Sequence, residues 1–121
     1  MKLPKRPLTD EDIKNYASRL KIPNFRGVFM RDTLPKSPKP RECGVINLDR
    51  NIGFGTHWVA YKKQGDKVVY FDSFGNLKPP KEFIEYMRKC KIYFNYDQYQ
   101  NFGSSNCGHL ALAFLYNKEL R

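Results

Sequence analysis

His57-Trp58-Val59-Ala60-Tyr61-Lys62-Lys63, Gln64-Gly65-Asp66-Lys67 and Val68-Val69-Tyr70-Phe71-Asp72 form one continuous stretch. Two runs rich in β-branched and aromatic residues flank a turn sequence, the pattern of a β-hairpin. If Gly65 and Asp66 are the central pair of the turn, Gln64 faces Lys67 and Val59 faces Asp72. Side chains alternate along a strand, so His57 shares a face with Val59. His57 and Asp72 are then diagonal cross-strand neighbours, with backbones roughly 7–8 Å apart and side chains within hydrogen-bonding reach. A slip of one residue would turn the two side chains to opposite faces, so the register decides whether they meet.

The elements around the hairpin follow from period and punctuation. Upstream, Thr9 suits an N-cap, Asp12 approximates a capping box, and Leu8 with Ile13 forms a hydrophobic staple. Ile13, Tyr16, Ala17 and Leu20 then share one helical face. Asp10, Glu11 and Asp12 sit at the favourable end of its dipole, and Pro23 is read as its stop. Phe25 to Met30 is mixed in pattern and suits a short strand or an active-site loop. Lys36 to Arg41 is a basic, proline-broken loop, Cys43 to Leu48 a buried strand, and Asp49 to Gly55 a loop. Beyond the hairpin come a loop with Phe74-Gly75-Asn76 and Pro79-Pro80, then a helix over Glu82 to Lys91. That helix places Phe83, Met87 and Cys90 on one face, which assigns Cys90 to the core. A strand over Ile92 to Tyr96, a polar loop over Gln98 to Ser105 and a final helix from Cys107 to about Leu120 complete the order. It describes an α+β domain: a small mixed or antiparallel sheet of three or four strands, flanked by helices.

The 121 residues carry 22 Lys and Arg against 12 Asp and Glu, a net charge of +10. Such an excess attracts polyanions, nucleic acid among them, at low salt. A solvated basic surface that aids solubility accounts for it equally well. A single domain over residues 1–121 is expected, large enough to fold without staples. Three cysteines, Cys43, Cys90 and Cys107, are odd in number and lack C-x-x-C spacing. Neither a disulfide framework nor a zinc site is expected from them. Met1 to Pro7 lacks the apolar stretch of a signal peptide, and no segment has the length of a membrane span. The expectation is an intracellular protein in a reducing compartment, off the membrane and monomeric.

Asn106-Cys107-Gly108-His109 leads directly into the apolar run Leu110 to Leu115. Cys107 therefore stands at the N-terminus of what reads as a buried helix, where the dipole and free backbone N–H groups favour the thiolate. The thiolate is the nucleophilic form. His57 suits a base near neutral pH, with Asp72 holding one imidazole nitrogen while the other faces the thiol. His109 lies two positions beyond Cys107 in the same helix and points to another side, so a structural or surface role is expected. Gln100, in the loop entering the helix, is a candidate to join the Cys107 N–H in an oxyanion hole, with Gln98 as the competing choice. Gly108 removes bulk beside the nucleophile, and Ser104 and Ser105 leave room for substrate. Trp58 reads as a core residue that also shields His57 from water.

Gly55-Thr56-His57-Trp58, Tyr70-Phe71-Asp72-Ser73-Phe74-Gly75, Gln100 and Asn106-Cys107-Gly108 together resemble the adenovirus-type maturation proteases, the adenain family. More distantly they resemble the SUMO-specific proteases of the same superfamily. The likeness runs from about Leu20 to Leu115, and the gap from Gln100 to Cys107 suits the adenain pattern better. Asp72 stands where adenains often carry glutamate, as in the SUMO proteases. The resemblance implies a cysteine endopeptidase with Cys107 as nucleophile, His57 as base, Asp72 as orienter and Gln100 in the oxyanion hole. It implies cleavage after small residues, typically glycine, in viral capsid and core precursor proteins. No cofactor is required for that chemistry, and the resemblance adds DNA and a short viral peptide as activators. It implies an intracellular setting, in the virion or in the cytoplasm or nucleus of a host cell. The short length suggests a minimal relative from a virus or virus-like mobile element.

Two other readings stand beside this one. The first is a deubiquitinase or SUMO-type isopeptidase of the same superfamily. The second is a non-enzymatic basic module that binds nucleic acid, supported by charge alone and centred on Lys36, Lys39 and Arg41.

Overall fold

The structure, a computed structural model, describes residues 3–48, 57–75, 77–95 and 107–117. Along the chain lie α1 (Asp10–Arg19), β1 (Phe25–Met30), β2 (Arg41–Asn47), β3 (Trp58–Gln64) and β4 (Lys67–Phe71). They are followed by α2 (Lys81–Tyr86), β5 (Lys91–Phe94) and α3 (Cys107–Tyr116). The strands form one mixed sheet in the order β1-β2-β3-β4-β5. The β1–β2 and β4–β5 pairs are parallel, and the two central pairs are antiparallel.

The hairpin adopts the register read from the sequence: Gln64 pairs with Lys67 and Ala60 with Phe71. Gly65 supplies the positive φ that the turn requires, at 63°. The expected three or four strands become five. Phe25–Met30 is a strand, and all six of its residues are half-buried because it lies at the sheet edge. That uniform partial burial is why its sequence shows no clean alternation.

Alternation along the inner strands sorts the core into two layers. Cys43, Val45, Trp58 and Ala60 pack with Ile13 and Ala17 of α1 and with Ala111, Leu112 and Leu115 of α3. Their neighbours Ile46, Val59 and Tyr61, with Val68 and Tyr70, pack on the opposite face with Phe83, Tyr86 and Met87 from α2 and its end. The sheet is thus covered on both faces.

The Thr9–Asp12 capping box forms in both directions. The end of α1 differs from the expected proline stop. Its last helical residue is Arg19, and a left-handed Lys21 (φ 54°) closes it, with Ile22 N–H donating to the Ala17 carbonyl at 3.2 Å. Pro23 lies outside this closure. The second helix is shorter than expected and stops at Tyr86. Cys90 is half-buried and packs against the Phe83 and Met87 layer from beyond the helix. Among the described residues no helix is long and apolar enough to cross a membrane.

One polar cluster inside the second layer has no counterpart in the sequence reading. Glu42 of β2 is 2% exposed. Its carboxylate accepts from Arg26 Nη1 at 2.9 Å, from the Lys39 N–H at 2.7 Å, and from the hydroxyls of Tyr61 and Tyr86. The proline-broken basic loop is therefore anchored to the sheet by a buried acid.

Candidate active site

Three elements start or stop at one end of the central strands. β3 begins at Trp58, β4 ends at Phe71, and α3 begins at Cys107. His57 and Asp72 lie just beyond the paired residues of the hairpin, where the side chains reach past the sheet towards the start of α3.

His57 Nε2 donates to Asp72 Oδ1 at 2.8 Å. With Nε2 engaged by Asp72, the ring's other nitrogen is left for a second partner, and the Cys107 thiol lies near enough to bear on the protonation of the imidazole. The Phe74 ring stacks flat on the imidazole, centroids 4.3 Å apart and planes 9° from parallel. Phe74 also donates its backbone N–H to Asp72 Oδ1 at 3.0 Å. Asp72 opens a tight turn in which Gly75, at φ 76°, donates to the Asp72 carbonyl at 2.9 Å. Aspartate first and glycine fourth is the expected chemistry for such a turn. It fixes the Asp72 carboxylate between the Phe74 N–H and the imidazole.

Asn95, just past β5, grips the Asp72 backbone. Asn95 Oδ1 accepts from Asp72 N–H at 2.8 Å, and Asn95 Nδ2 donates to the Asp72 carbonyl at 2.7 Å. Side-chain amide thus replaces strand backbone where the β4–β5 pairing ends.

Cys107 is buried, and its sulfur receives the Trp58 backbone N–H at 3.5 Å. The Trp58 indole donates to the Leu8 carbonyl at 2.9 Å, which fixes the backbone that carries this donor. A Cβ on Gly108 would lie 3.1 Å from Leu8 Cβ and 3.3 Å from Trp58 Cδ1. The glycine lets the first turn of α3 press against that pair.

The electrostatics follow from these contacts. Burial alone would push the Cys107 thiol up. The hydrogen bond from His57, the Trp58 N–H, the His57 charge and the Gly108 N–H outweigh it and hold the thiol below its ordinary value. Burial would push His57 down, but hydrogen bonds to Asp72 and Cys107 and their charges raise it to about 9. Both shifts favour a thiolate–imidazolium pair at neutral pH. Cys43 shows the contrast: burial pushes its thiol up to about 11, and it is a core residue.

The structure brings together His57, Asp72 and Cys107 from the sequence-derived set. Gln100, its competitor Gln98, and Ser104, Ser105 and Asn106 lie outside the described residues. His109 is turned away from the site, where its Nε2 donates to the Pro4 carbonyl at 2.6 Å and ties down the N-terminal segment. Asn95, Phe74 as a stacking partner and the Trp58 N–H were not singled out from sequence. Asn95 carries no local signal, whereas Phe74 falls within the quoted Asp72 segment. Among the described residues no group of three or more His, Cys, Asp or Glu side chains is arranged to hold a metal ion.

No protein-family model and no curated protein sequence matches the chain. Solved structures do. A structure of the SUMO protease Ulp1, with its catalytic cysteine oxidised to a sulfinic acid, superposes with a TM-score of 0.60 at 15% identity over 93% of the chain. The ASFV pS273R protease superposes with a TM-score of 0.58 at 19% identity, again over 93% of the chain. The chain spans 66% of the first and 58% of the second. The chain has the fold that these two proteases share.

Proposed function

We propose that the chain is a cysteine endopeptidase in which Cys107 is the nucleophile, His57 the base and acid, and Asp72 the orienting carboxylate. The observation that carries this reading is the pairing of His57 with Asp72, Oδ1 2.8 Å from Nε2, beside a Cys107 thiol that His57 helps to hold below its ordinary value. The Cys107 thiolate attacks the carbonyl carbon of the scissile peptide. The C–S bond forms, and the carbonyl electrons move to oxygen. As the tetrahedral species collapses, the C–N bond breaks and His57 gives its proton to the leaving amine. Water then attacks the thioester carbon and gives a proton to His57; the C–S bond breaks, releasing the acid product and restoring the Cys107 thiolate beside a protonated His57. The backbone N–H of Cys107 and the side chain of Gln100 are assigned to the oxyanion. Gln100 rests on the family resemblance alone.

By the same resemblance, the substrates are viral capsid and core precursors cut after small residues such as glycine. DNA and a viral peptide are candidate activators, and the net charge of +10 accords with the first. Incubation with a Gly-Gly peptide from such a precursor tests the reading. Cleavage by wild type and none by Cys107→Ala is expected; undiminished turnover by that variant overturns it.

The likeness to Ulp1 favours a second reading, an isopeptidase acting on a ubiquitin-like modifier. Labelling of Cys107 by an electrophile-tipped SUMO or ubiquitin probe, without cleavage of the Gly-Gly peptide, would select it.

A further inference from the structure

At the end of the sheet away from Cys107 lies a cavity of about 320 Å³. Leu20, Ile22, Cys43 and Leu115 supply apolar lining, and Lys21, Arg41 and Lys62 bring positive charge. Strand alternation puts Arg41 and Cys43 of β2, and Lys62 and Gln64 of β3, on the face that forms this cavity. Glu42, the one acid in its lining, faces the opposite side of the sheet and is held by Arg26, Tyr61 and Tyr86. Lys62 lies over the Phe114 ring and donates to the Asn117 carbonyl, placing its charge at the C-terminal end of α3. Lys21 and Arg41 have no acidic partner among the described residues.

The backbone supplies a second observation. Lys21 and Asn24 are the two non-glycine residues with positive φ among those described, at 54° and 59°, and both line this cavity. Lys21 occupies the position after the helix cap that glycine fills most readily, because a Cβ strains the left-handed conformation. Ile22 N–H to the Ala17 carbonyl and Lys21 N–H to the Ser18 carbonyl complete the closing motif around it. A strained cation at the mouth of an apolar cavity is a poor choice for stability alone, and such choices collect at functional positions.

We propose that this cavity is a docking site for an acidic segment of a protein partner, with an apolar side chain seated on Leu20, Ile22 and Leu115. Its carboxylates meet Lys21 and Arg41. The site is independent of the chemistry at Cys107 and is tested by binding rather than turnover.

The probe is a fluorescein-labelled hexapeptide with two leucines among four glutamates, followed by anisotropy with the full chain carrying Cys107→Ala. The same peptide with lysines in place of glutamates is the control. Saturable binding of the acidic probe, weakening as salt rises, is expected. Lys21→Glu with Arg41→Glu should weaken it at least tenfold, whereas Lys78→Glu with Lys81→Glu, of equal charge change, should leave it within twofold. Lys21→Gly should weaken binding severalfold while leaving Tm unchanged or higher, which separates a docking role from a structural one. Absence of binding overturns the proposal. So does equal weakening by the two charge-reversed pairs, which would mean attraction by net charge only.

Discussion

Asn95 holds Asp72 by its backbone, through one bond of 2.8 Å and another of 2.7 Å, one residue past the last paired position of β5. The carboxylate that orients His57 is therefore placed by a side chain from a different strand. Asn95→Ala should destabilise the protein by about 1–3 kcal/mol, since the Asp72 N–H loses its partner and the Asp72 carbonyl is left with the Gly75 N–H alone. It should also lower kcat more than it raises KM, because Asp72 is displaced while substrate contacts persist. Urea unfolding and steady-state kinetics on the same preparation test both; a variant unchanged in each would show that the clasp positions nothing.

The pH dependence follows from the paired shifts. Cys107 is held below its ordinary 9.0 and His57 is pushed up to about 9, so the ion pair spans the range between the lowered thiol value and about 9. Alkylation of Cys107 by iodoacetamide should stay fast to lower pH than an ordinary thiol allows, and His57→Ala should restore an ordinary thiol profile. Peptide cleavage should fall again near pH 9 as the imidazolium loses the proton needed by the leaving amine. Alkylation, which needs only the thiolate, should show no such alkaline fall.

The same shifts bear on stability. His57 is raised above its ordinary 6.5, so its contribution is complete below that pH and is lost as pH rises through about 9. Cys107 is lowered, so its contribution is present above 9.0 and is lost as pH falls through the lowered value. In His57→Ala the alkaline loss should disappear from a plot of unfolding free energy against pH.

Asp72→Asn keeps the shape of the side chain but removes the charge facing Nε2. The neutral amide no longer stabilises an imidazolium, and cleavage should drop by about 10²–10⁴. Circular dichroism should remain that of wild type, because the Phe74 N–H keeps an oxygen acceptor. A fall of less than threefold would remove Asp72 from the mechanism.

Glu42 offers a test of the fold away from the site. Glu42→Leu leaves Arg26, Tyr61 and Tyr86 without their buried acceptor and should cost about 3–5 kcal/mol. Cleavage per folded molecule should change little, as the cluster sits at the far end of β2 from Cys107. A stability within 1 kcal/mol of wild type would mean that repacking replaces the network.

Much of the site was legible in sequence because its logic is local. Gly65-Asp66 sets the hairpin register, and the register puts His57 within reach of Asp72. The apolar run after Cys107 announces a buried helix whose first turn carries the thiol. The edge strand β1 was ambiguous because partial burial erases alternation, and α2 was overextended because Cys90 packs against its core layer from outside the helix. Asn95 was invisible for a different reason. It lies 23 residues from Asp72, and an asparagine near a strand end has the same local pattern whether or not it holds a neighbouring strand.

The sequence by itself determined the α+β class, the hairpin register, the capped first helix and the cysteine at the start of the last. Each is set by sterics and periodicity over a few residues. Only the tertiary structure decided which polar groups meet across the chain: Trp58 N–H with the Cys107 sulfur, Asn95 with the Asp72 backbone, Glu42 with Arg26 and two tyrosines, and His109 with Pro4. Those partnerships depend on how the layers stack, and no local pattern encodes which distant donor will satisfy a buried acceptor.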